Sequence, residues 1–170
     1  GNVNERRRMG EVTQEDEVLV DLYAGIGYYT LPALVHGGAS LVHACEWNPE
    51  AIEALRWGLE SNGVDRRCVV HEGDSRETSQ SLEETADRVF LGLLPSSEDG
   101  LEAALRVLKP DGGTLHIHGL APSSDHFSWA EGVVASASAI RPYSCVRTGL
   151  VRVKSYAPHW DHVVLDISLA

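Results

Sequence analysis

The fold of this chain is decided by the stretch Val18-Leu19-Val20-Asp21-Leu22-Tyr23-Ala24-Gly25-Ile26-Gly27. An apolar run that leads into an acid and two nearby glycines is typical of a strand buried in a parallel sheet and followed by a tight turn. Glycine lets the backbone turn sharply and approach a ligand with no side chain in between. The helix predicted over residues 28–36 then points its free N–H groups at that ligand. Two glycines alone would also suit an ordinary turn, so the prediction of a ligand site depends on residues further along the chain.

Acids stand at the ends of the next two predicted strands. Glu46 lies 19 residues beyond Gly27 and closes the strand over residues 41–45, where a carboxylate can accept hydrogen bonds from ribose hydroxyls. Asp74 follows the strand over residues 68–71 and is a candidate acceptor for an adenine amino group. The third glycine of the dinucleotide fingerprint is absent, and its place is taken by Thr30. With Asp21, these acids favour S-adenosylmethionine over a dinucleotide.

Composition limits the function classes. The net charge is −11, with 25 acidic and 14 basic residues, which argues against a domain that holds a polyanion by itself. No apolar run approaches the roughly 20 residues that span a bilayer, and no signal peptide opens the sequence, so we expect no membrane partner. The three cysteines form no C-x-x-C pair, and we interpret them as reduced thiols of a cytoplasmic protein.

The order of predicted elements favours an α/β fold. Asn48 and Pro49 form a strong helix start, and the segment over residues 96–99 predicts a helix that opens with a capping box. A later helix over residues 128–140 is expected to bury Trp129, Val133, Ala137 and Ile140. Two last strands, residues 150–155 and 163–168, are joined by residues 156–160, a connection too long for a two-residue turn.

Alternating strands and helices predict a doubly wound, mostly parallel seven-stranded sheet, Rossmann-like, with a C-terminal antiparallel hairpin. Residues 1–17 are expected to form a lead-in segment that caps the ligand site, and residues 18–170 the catalytic domain. Ligands of such sheets bind beyond the carboxyl ends of the strands, where all three acids fall.

Four histidines could suggest metal chemistry. His116 and His118 share one face of a strand but have no cysteine or carboxylate at ligand spacing, so we interpret them as core or surface residues and predict no metal site. His159 and His162 are expected to cap the closing hairpin, with substrate contact as the alternative.

The segment Asp21-Leu22-Tyr23-Ala24-Gly25-Ile26-Gly27-Tyr28 resembles the first motif of class I S-adenosylmethionine-dependent transferases. Similarity to one RNA-modifying branch extends to Glu46-Trp47-Asn48-Pro49, Gly73-Asp74 and Val153-Lys154-Ser155-Tyr156-Ala157-Pro158. That branch holds the guanine-N1 tRNA methyltransferases of archaea and eukaryotes and the family of tRNA wybutosine-synthesizing protein 2. Gly1-Asn2, followed by Glu5 and Arg8, is similar to the branch's lead-in to the first strand. The resemblance covers nearly the whole chain.

The segment after the fourth strand separates the two families. The N1 methyltransferases carry Asn-Leu-Pro there, with the asparagine near the target base. This chain has Leu91-Gly92-Leu93-Leu94-Pro95-Ser96-Ser97 instead, without an asparagine. That pattern, followed by Leu115-His116-Ile117-His118, resembles the wybutosine family.

The resemblance implies a reaction and a set of contacts. The 3-amino-3-carboxypropyl group of S-adenosyl-L-methionine passes to the tricyclic modified guanosine next to the anticodon of tRNA(Phe), and methylthioadenosine leaves. S-adenosylmethionine contacts are expected from Arg6, Asp21, Tyr23, Gly25, Gly27, Glu46, Trp47, Asp74, Ser75 and Leu93. Catalytic candidates are Pro95, Ser96 and Arg8, and Arg6 or Arg8 is the candidate to hold the carboxylate tail of the donor. No base is identified for removal of the proton from the acceptor carbon.

The same resemblance bears on partners and leaves alternatives. The family has further N-terminal sequence that helps to hold tRNA, so we expect tight binding of tRNA(Phe) to need that region. One alternative is methyl transfer to N1 of a tRNA guanine. Another is a non-catalytic nucleotide-binding module for protein interactions, against which the intact acid and glycine set argues. A nicotinamide oxidoreductase is more distant.

Overall fold

Seven strands and six α-helices alternate along the part of the chain that the computed structural model describes, residues 2–142 and 144–170. The strands are β1 (Val18–Asp21), β2 (Leu41–Glu46), β3 (Cys68–Glu72), β4 (Arg88–Leu91), β5 (Gly113–Pro122), β6 (Cys145–Ala157) and β7 (Trp160–Leu169). The helices are α1 (Val3–Val12), α2 (Thr30–Val35), α3 (Pro49–Ser61), α4 (Ser75–Thr78), α5 (Leu101–Val107) and α6 (His126–Ile140). Gly1, which belongs to the predicted lead-in motif, lies outside the described residues.

The strands form one sheet in the order β3-β2-β1-β4-β5-β7-β6. Neighbouring strands from β3 through to β5 pair in parallel, and β7 runs antiparallel to both β5 and β6. The predicted fold class is confirmed: the sheet is doubly wound and mostly parallel, with an antiparallel C-terminal hairpin. The chain reverses its direction of travel between β1 and β4, which opens a crevice for a ligand beyond their carboxyl ends.

The helix start predicted at Asn48 is confirmed by its cap. The Asn48 side chain accepts a hydrogen bond from the Glu50 N–H at 3.0 Å, and Pro49 occupies the first turn of α3, where no N–H is needed. The helix buries Ile52, Leu55 and Leu59 against the sheet, and this packing supplies most of its stability.

Two apolar cores cover the two faces of the sheet. One packs α5 and α6 against β4, β5 and β7, with Leu105, Ile117 and Leu165 fully or almost fully buried. The other packs α1, α2 and α3 against β1 and β2, and Met9 of α1 is completely buried within it. The lead-in helix is therefore part of the core.

Two predictions about the C-terminal half are wrong. The strands of the hairpin are longer than expected, so Ala157 pairs with Trp160 and only two residues form the turn. His159 allows this because it takes a left-handed φ of 69°, a conformation that the sequence pattern did not indicate for a residue other than glycine. In α6, Ile140 is 46% exposed, and Ala130 takes the inward place beside Val133 and Ala137.

Among residues 2–142 and 144–170, no helix combines the length and apolar character that crossing a bilayer requires.

Candidate functional site

The glycine turn after β1 has the conformation that the sequence predicts. Gly25 and Gly27 have φ values of 58° and 102°, a region that favours glycine. A Cβ on Gly27 would lie 2.9 Å from Leu55 Cδ1, so this glycine lets the loop pack on α3. A Cβ on Gly25 would meet nothing closer than the Tyr28 ring at 3.8 Å. Gly25 therefore presents bare backbone toward open space, where a ligand can approach it.

The Glu46 carboxylate joins the glycine turn to the end of β2. It accepts hydrogen bonds from the Gly25 N–H at 2.9 Å, the Trp47 N–H at 3.1 Å and the Asn48 N–H at 2.9 Å. The predicted meeting of this acid and the glycines is thus present. Trp47, beside it, is 71% exposed and offers a free indole face.

Asp21 lies beneath the glycine turn. It is completely buried and accepts a hydrogen bond from Thr30 Oγ1 at 2.7 Å, so the residue that replaces the third glycine anchors the turn to β1. Burial raises the pKa of Asp21 to about 6. Its Oδ1 has no hydrogen-bond partner among the described residues, which leaves one acceptor available below the turn.

Asp74 begins α4 at the end of β3. Its carboxylate accepts from the Arg76 N–H at 2.9 Å and from the Arg76 guanidinium at 2.7 Å, and these hydrogen bonds lower its pKa to about 2. Both side chains are exposed, so a ligand could displace the arginine at small cost. Ser75 is buried next to Asp74, beside the partly buried Tyr23.

The segment after β4 differs from the prediction. There is no capping box: a 3-10 turn over Glu98–Gly100 precedes α5, and Ser96 Oγ accepts from the Glu98 N–H at 3.1 Å. Ser97 turns inward, where its hydroxyl lies 2.7 Å from the Leu91 carbonyl oxygen and 3.1 Å from the Leu93 N–H. Ser97 thereby fixes the loop that carries Leu93 and the cis Leu94–Pro95 bond.

The two lead-in arginines have different surroundings. Arg8 donates to Glu5 at 2.7 and 2.9 Å and reaches Asp166 of β7 at 3.2 Å, so its guanidinium is engaged on both sides. Arg6 lies with its guanidinium carbon 6.0 Å from the Tyr28 ring centroid, and its Nε has no partner among the described residues. Of the two tail-holding candidates, Arg6 is the one with an unpaired Nε.

A row of buried polar side chains crosses the sheet on the side of α1. His116 Nε2 lies 2.7 Å from Arg88 Nη1, which can only donate, so His116 is neutral and its Nδ1–H donates to Asp166 at 2.7 Å. His118 Nδ1 lies 2.8 Å from His162 Nε2. Of the two expected places for His116 and His118, core or surface, the structure shows the core, since both are 1% exposed.

The expected hairpin cap by His162 is wrong, because this residue is buried in the sheet rather than placed at the turn. In the described part of the chain, no group of three His, Cys, Asp or Glu residues is arranged to hold a metal ion.

A cavity of about 390 Å³ opens beyond the carboxyl ends of β1 and β4. Its walls come from the lead-in, both loops and the closing hairpin: Asn2, Tyr23, Ala24, Tyr28, Tyr29, Gly92, Leu94, His118, Lys154, Tyr156 and His162. A larger groove of about 600 Å³ runs over α1 and α2, but the segment after β4 does not line it. The smaller cavity is therefore the candidate site.

Sequence reasoning did not place His118 or Lys154 in this cavity, and it gave substrate contact by His162 only as an alternative to a hairpin cap. His118, Lys154 and His162 come from three strands that are adjacent only after the hairpin has formed. The signal that could have found them is the period-two spacing of His162 and Asp166 within an apolar strand, which places both on one face.

Comparisons with known proteins agree with this geometry. A family profile described as the TRM5/TYW2 methyltransferase domain matches residues 1–137. The chain is 48% identical to tRNA wybutosine-synthesizing protein 2/3/4 of Arabidopsis thaliana over 98% of its own length and 17% of that protein's. It spans about half, 50%, of the length of the tRNA wybutosine-synthesizing protein 2 homolog of Rattus norvegicus, at 40% identity over 98% of this chain.

Solved structures give the same relationship. P. horikoshii TYW2 in complex with MeSAdo superposes with a TM-score of 0.91 at 32% identity, over 99% of this chain and 62% of that one. M. jannaschii TYW2 in complex with AdoMet superposes with a TM-score of 0.92 at 30% identity, over 99% of this chain and 75% of that one. The chain belongs to the TRM5/TYW2 methyltransferase-domain family, and the relatives just described are tRNA wybutosine-synthesizing proteins.

Proposed function

We propose that this chain is the transferase domain of an S-adenosylmethionine-dependent tRNA aminocarboxypropyltransferase of wybutosine biosynthesis. The observation that carries the proposal is the meeting of Gly25 and Glu46 beside a cavity closed by the segment Leu91–Ser97 without an asparagine. Residues 1–17 serve as a lead-in that caps the donor site, which agrees with the position of Asn2 in the cavity wall. Residues 18–170 form the catalytic unit.

The donor nucleoside binds at the ends of β1, β2 and β3. Glu46 accepts hydrogen bonds from the ribose hydroxyls, because one of its oxygens contacts only the Gly25 N–H and has lone pairs left. The adenine ring stacks on the exposed face of Trp47, and its amino group displaces Arg76 from Asp74. The surface between these contacts is lined by Tyr23, Gly27, Ser75 and Leu93. Asp21 anchors the glycine turn from below through Thr30.

The choice of transferred group follows from orientation of the sulfonium. Three carbons on sulfur are activated, and the one held toward the acceptor reacts. The proposed partner of the donor carboxylate is Arg6, whose Nε has no partner among the described residues. Arg6 lines the groove over α1 and α2, which shares Tyr28 with the cavity. The relative crystallised with MeSAdo supports this choice, since methylthioadenosine is what remains after the aminocarboxypropyl group has left. Pro95 and Ser96 border the acceptor.

The proposed partner is tRNA(Phe), bound weakly by this chain alone. The net charge of −11 opposes contact with phosphates, so sequence outside the chain supplies most of the affinity, as the greater length of the relatives allows. A cytoplasmic location is proposed from the three cysteines, Cys45, Cys68 and Cys145, which are all free.

Replacing Glu46 with glutamine is expected to weaken S-adenosylmethionine binding by about 1–3 kcal/mol, because a ribose hydroxyl and a backbone N–H then compete for a single amide oxygen. Titration calorimetry measures the loss. Glu50→Gln, four residues later in the exposed first turn of α3, is the control and should bind as the wild type does. Equal affinities for Glu46→Gln and wild type would remove Glu46 from the donor site.

The function is tested by identifying the product of the donor. Incubation with tRNA(Phe) that carries the tricyclic base, at low salt and high protein concentration, should release methylthioadenosine and add the aminocarboxypropyl group to that base. Mass spectrometry of tRNA digests and chromatography of the nucleoside product track both. S-adenosylhomocysteine with a methylated guanosine would establish the methyltransferase alternative. Donor binding without either product would point to a binding module.

A further inference from the structure

His118 and His162 form a buried pair that no part of the proposed donor site uses. His118 lies on β5 and His162 on β7, two positions away from the residue directly opposite it, so both side chains share one face of the sheet. Their facing nitrogens, His118 Nδ1 and His162 Nε2, are 2.8 Å apart. Both residues line the 390 Å³ cavity beside Tyr29, whose ring centroid lies 5.0 Å from that of His118.

The outer nitrogens of this pair are what distinguishes it. His118 Nε2 and His162 Nδ1 are buried and have no hydrogen-bond partner among residues 2–142 and 144–170. Leaving such groups unsatisfied is costly, and native structures keep few of them. His116, on the same strand, has both of its nitrogens paired. The pair therefore carries a cost that a purely structural role does not explain.

Proton counting defines what the pair can do. Burial keeps both rings neutral by lowering their pKa values, that of His118 to about 3. Two neutral rings carry two N–H protons, and one of these fills the shared hydrogen bond. The other must lie on one outer nitrogen, so the remaining outer nitrogen is always a bare lone pair. In either tautomeric arrangement, the pair is a proton acceptor at one end and a donor at the other.

We propose that the His118–His162 pair takes the proton that leaves the acceptor carbon during aminocarboxypropyl transfer. The inference rests on the proposed function, because only a carbon acceptor loses a proton from carbon. The acceptor carbon bonds to the γ-carbon of S-adenosylmethionine while the γ-carbon–sulfur bond breaks. The electron pair of the broken γ-carbon–sulfur bond goes to sulfur, which leaves as the neutral thioether of methylthioadenosine. The acceptor ring gains the positive charge and then loses its proton to the bare imidazole nitrogen.

The surroundings fit this step. A positively charged ring with a proton on carbon is a strong acid, so a weak base that stays unprotonated near neutral pH is well matched to it. Lys154, which pairs with His162 across β6 and β7, destabilises the imidazolium and favours release of the proton after each turnover. Passing the shared proton along the pair moves the positive charge to the other ring, and both rings become neutral again when the outer N–H of that ring gives its proton to water.

The test follows tritium placed on the acceptor carbon of the tRNA base. In single-turnover reactions with excess protein, the wild type should release tritium and form methylthioadenosine at the same rate. His162→Gln and His118→Asn keep the shared hydrogen bond, since these amides mimic Nε2 and Nδ1, but they cannot take a proton. Tritium release should slow by about 100-fold or more in both, the usual contribution of a general base, with donor affinity unchanged in calorimetry.

A second histidine pair supplies the control. His43 Nδ1 and His71 Nε2 lie 2.9 Å apart on β2 and β3, at the other end of the sheet, and their outer nitrogens are not among the buried unpaired atoms. His71→Gln should react at the wild-type rate. One outcome is that methylthioadenosine formation slows together with tritium release in the variants. In that case, the proposal requires that deuterium at the acceptor carbon slows the variant reaction by a further factor of about two or more. Slowing without an isotope effect would mean that the pair only shapes the cavity, and the proposal would be overturned.

The wild type also gives a decisive result if neither variant folds. Tritium that stays on the base until the product leaves the protein would show that no residue of the chain takes the proton, which refutes the proposal. A wild type that makes no methylthioadenosine from any tRNA would instead refute the proposed function, so the two failures are distinct.

Discussion

Replacing Arg8 with alanine should lower the free energy of unfolding by about 3–5 kcal/mol. The Arg8 guanidinium stands between the carboxylates of Glu5 and Asp166, and the Glu5 side chain is only 2% exposed. Without the arginine, two buried carboxylates face each other with no cation, and His116 alone continues to pair with Asp166. Breaking a buried ion pair by removing one partner is costly because the remaining charge keeps its desolvation penalty.

Denaturant unfolding at pH 7 measures this loss, and Arg7→Ala is the matched control. Arg7 is the adjacent residue of α1 and is exposed, so its truncation should change stability by no more than about 0.5 kcal/mol. A loss below about 1 kcal/mol for Arg8→Ala would contradict the structural role and make Arg8 a donor-binding candidate again.

Acidification from pH 7 to pH 5 should destabilise the protein. Burial is the main cause that lowers the pKa of five of the eight histidines, namely His43, His71, His116, His118 and His162. A histidine with a lowered folded-state pKa contributes stability at pH values above its ordinary pKa of 6.5. This stability is lost as the pH falls, because the unfolded chain binds the proton first. With its pKa at about 3, His118 alone accounts for about 2 kcal/mol at pH 5.

Two buried acids act in the opposite direction. Burial raises the pKa of Glu5 and raises that of Asp21 to about 6, so the folded state takes up these protons before the unfolded state does. Protonation of Asp21 thereby raises the free energy of unfolding by about 1 kcal/mol between pH 7 and pH 5. The histidines outnumber these acids, and we expect a net fall in melting temperature of several degrees.

Unfolding free energies at pH 7, 6 and 5 test this balance. His118→Asn should flatten the dependence on pH, because the amide does not titrate. His159→Asn, in the exposed hairpin turn with left-handed φ, should leave it unchanged. Equal stability of the wild type at pH 7 and pH 5 would contradict the expected excess of the histidine effect over that of the two acids.

Local signals in the sequence were enough to predict the fold and half of the site. Glycines with positive φ, the cap at Asn48 and the acid that ends β2 are each recognisable within a few residues, because a single turn or hydrogen bond determines them. Their positions at the carboxyl ends of parallel strands then follow from the fold class.

The other half of the site depends on contacts between distant parts of the chain. The pairing of His118 with His162 requires the register of β5 on β7, and the burial of Arg8 requires Asp166, which is 158 residues away. The capping box predicted over residues 96–99 is absent for a related reason: a serine before a helix usually caps it, but here the hydroxyl of Ser97 bonds to the loop after β4. Nothing in the local pattern distinguishes these cases.

The place of β7 has a consequence for how the protein is made. This strand comes last of the seven in the sequence, yet it lies between β5 and β6 and supplies Asp166 to the first helix. A nascent chain that has emerged only as far as β6 therefore lacks the strand between β5 and β6 and has an unpaired edge on β5. Arg8 of α1 also lacks its partner Asp166. Such an intermediate exposes apolar surface and open strand edges, which are the features that recruit chaperones and promote aggregation. We expect productive folding to wait until residues 160–169 have left the ribosome, and a ribosome stalled ahead of them to hold a chain that proteases cut readily.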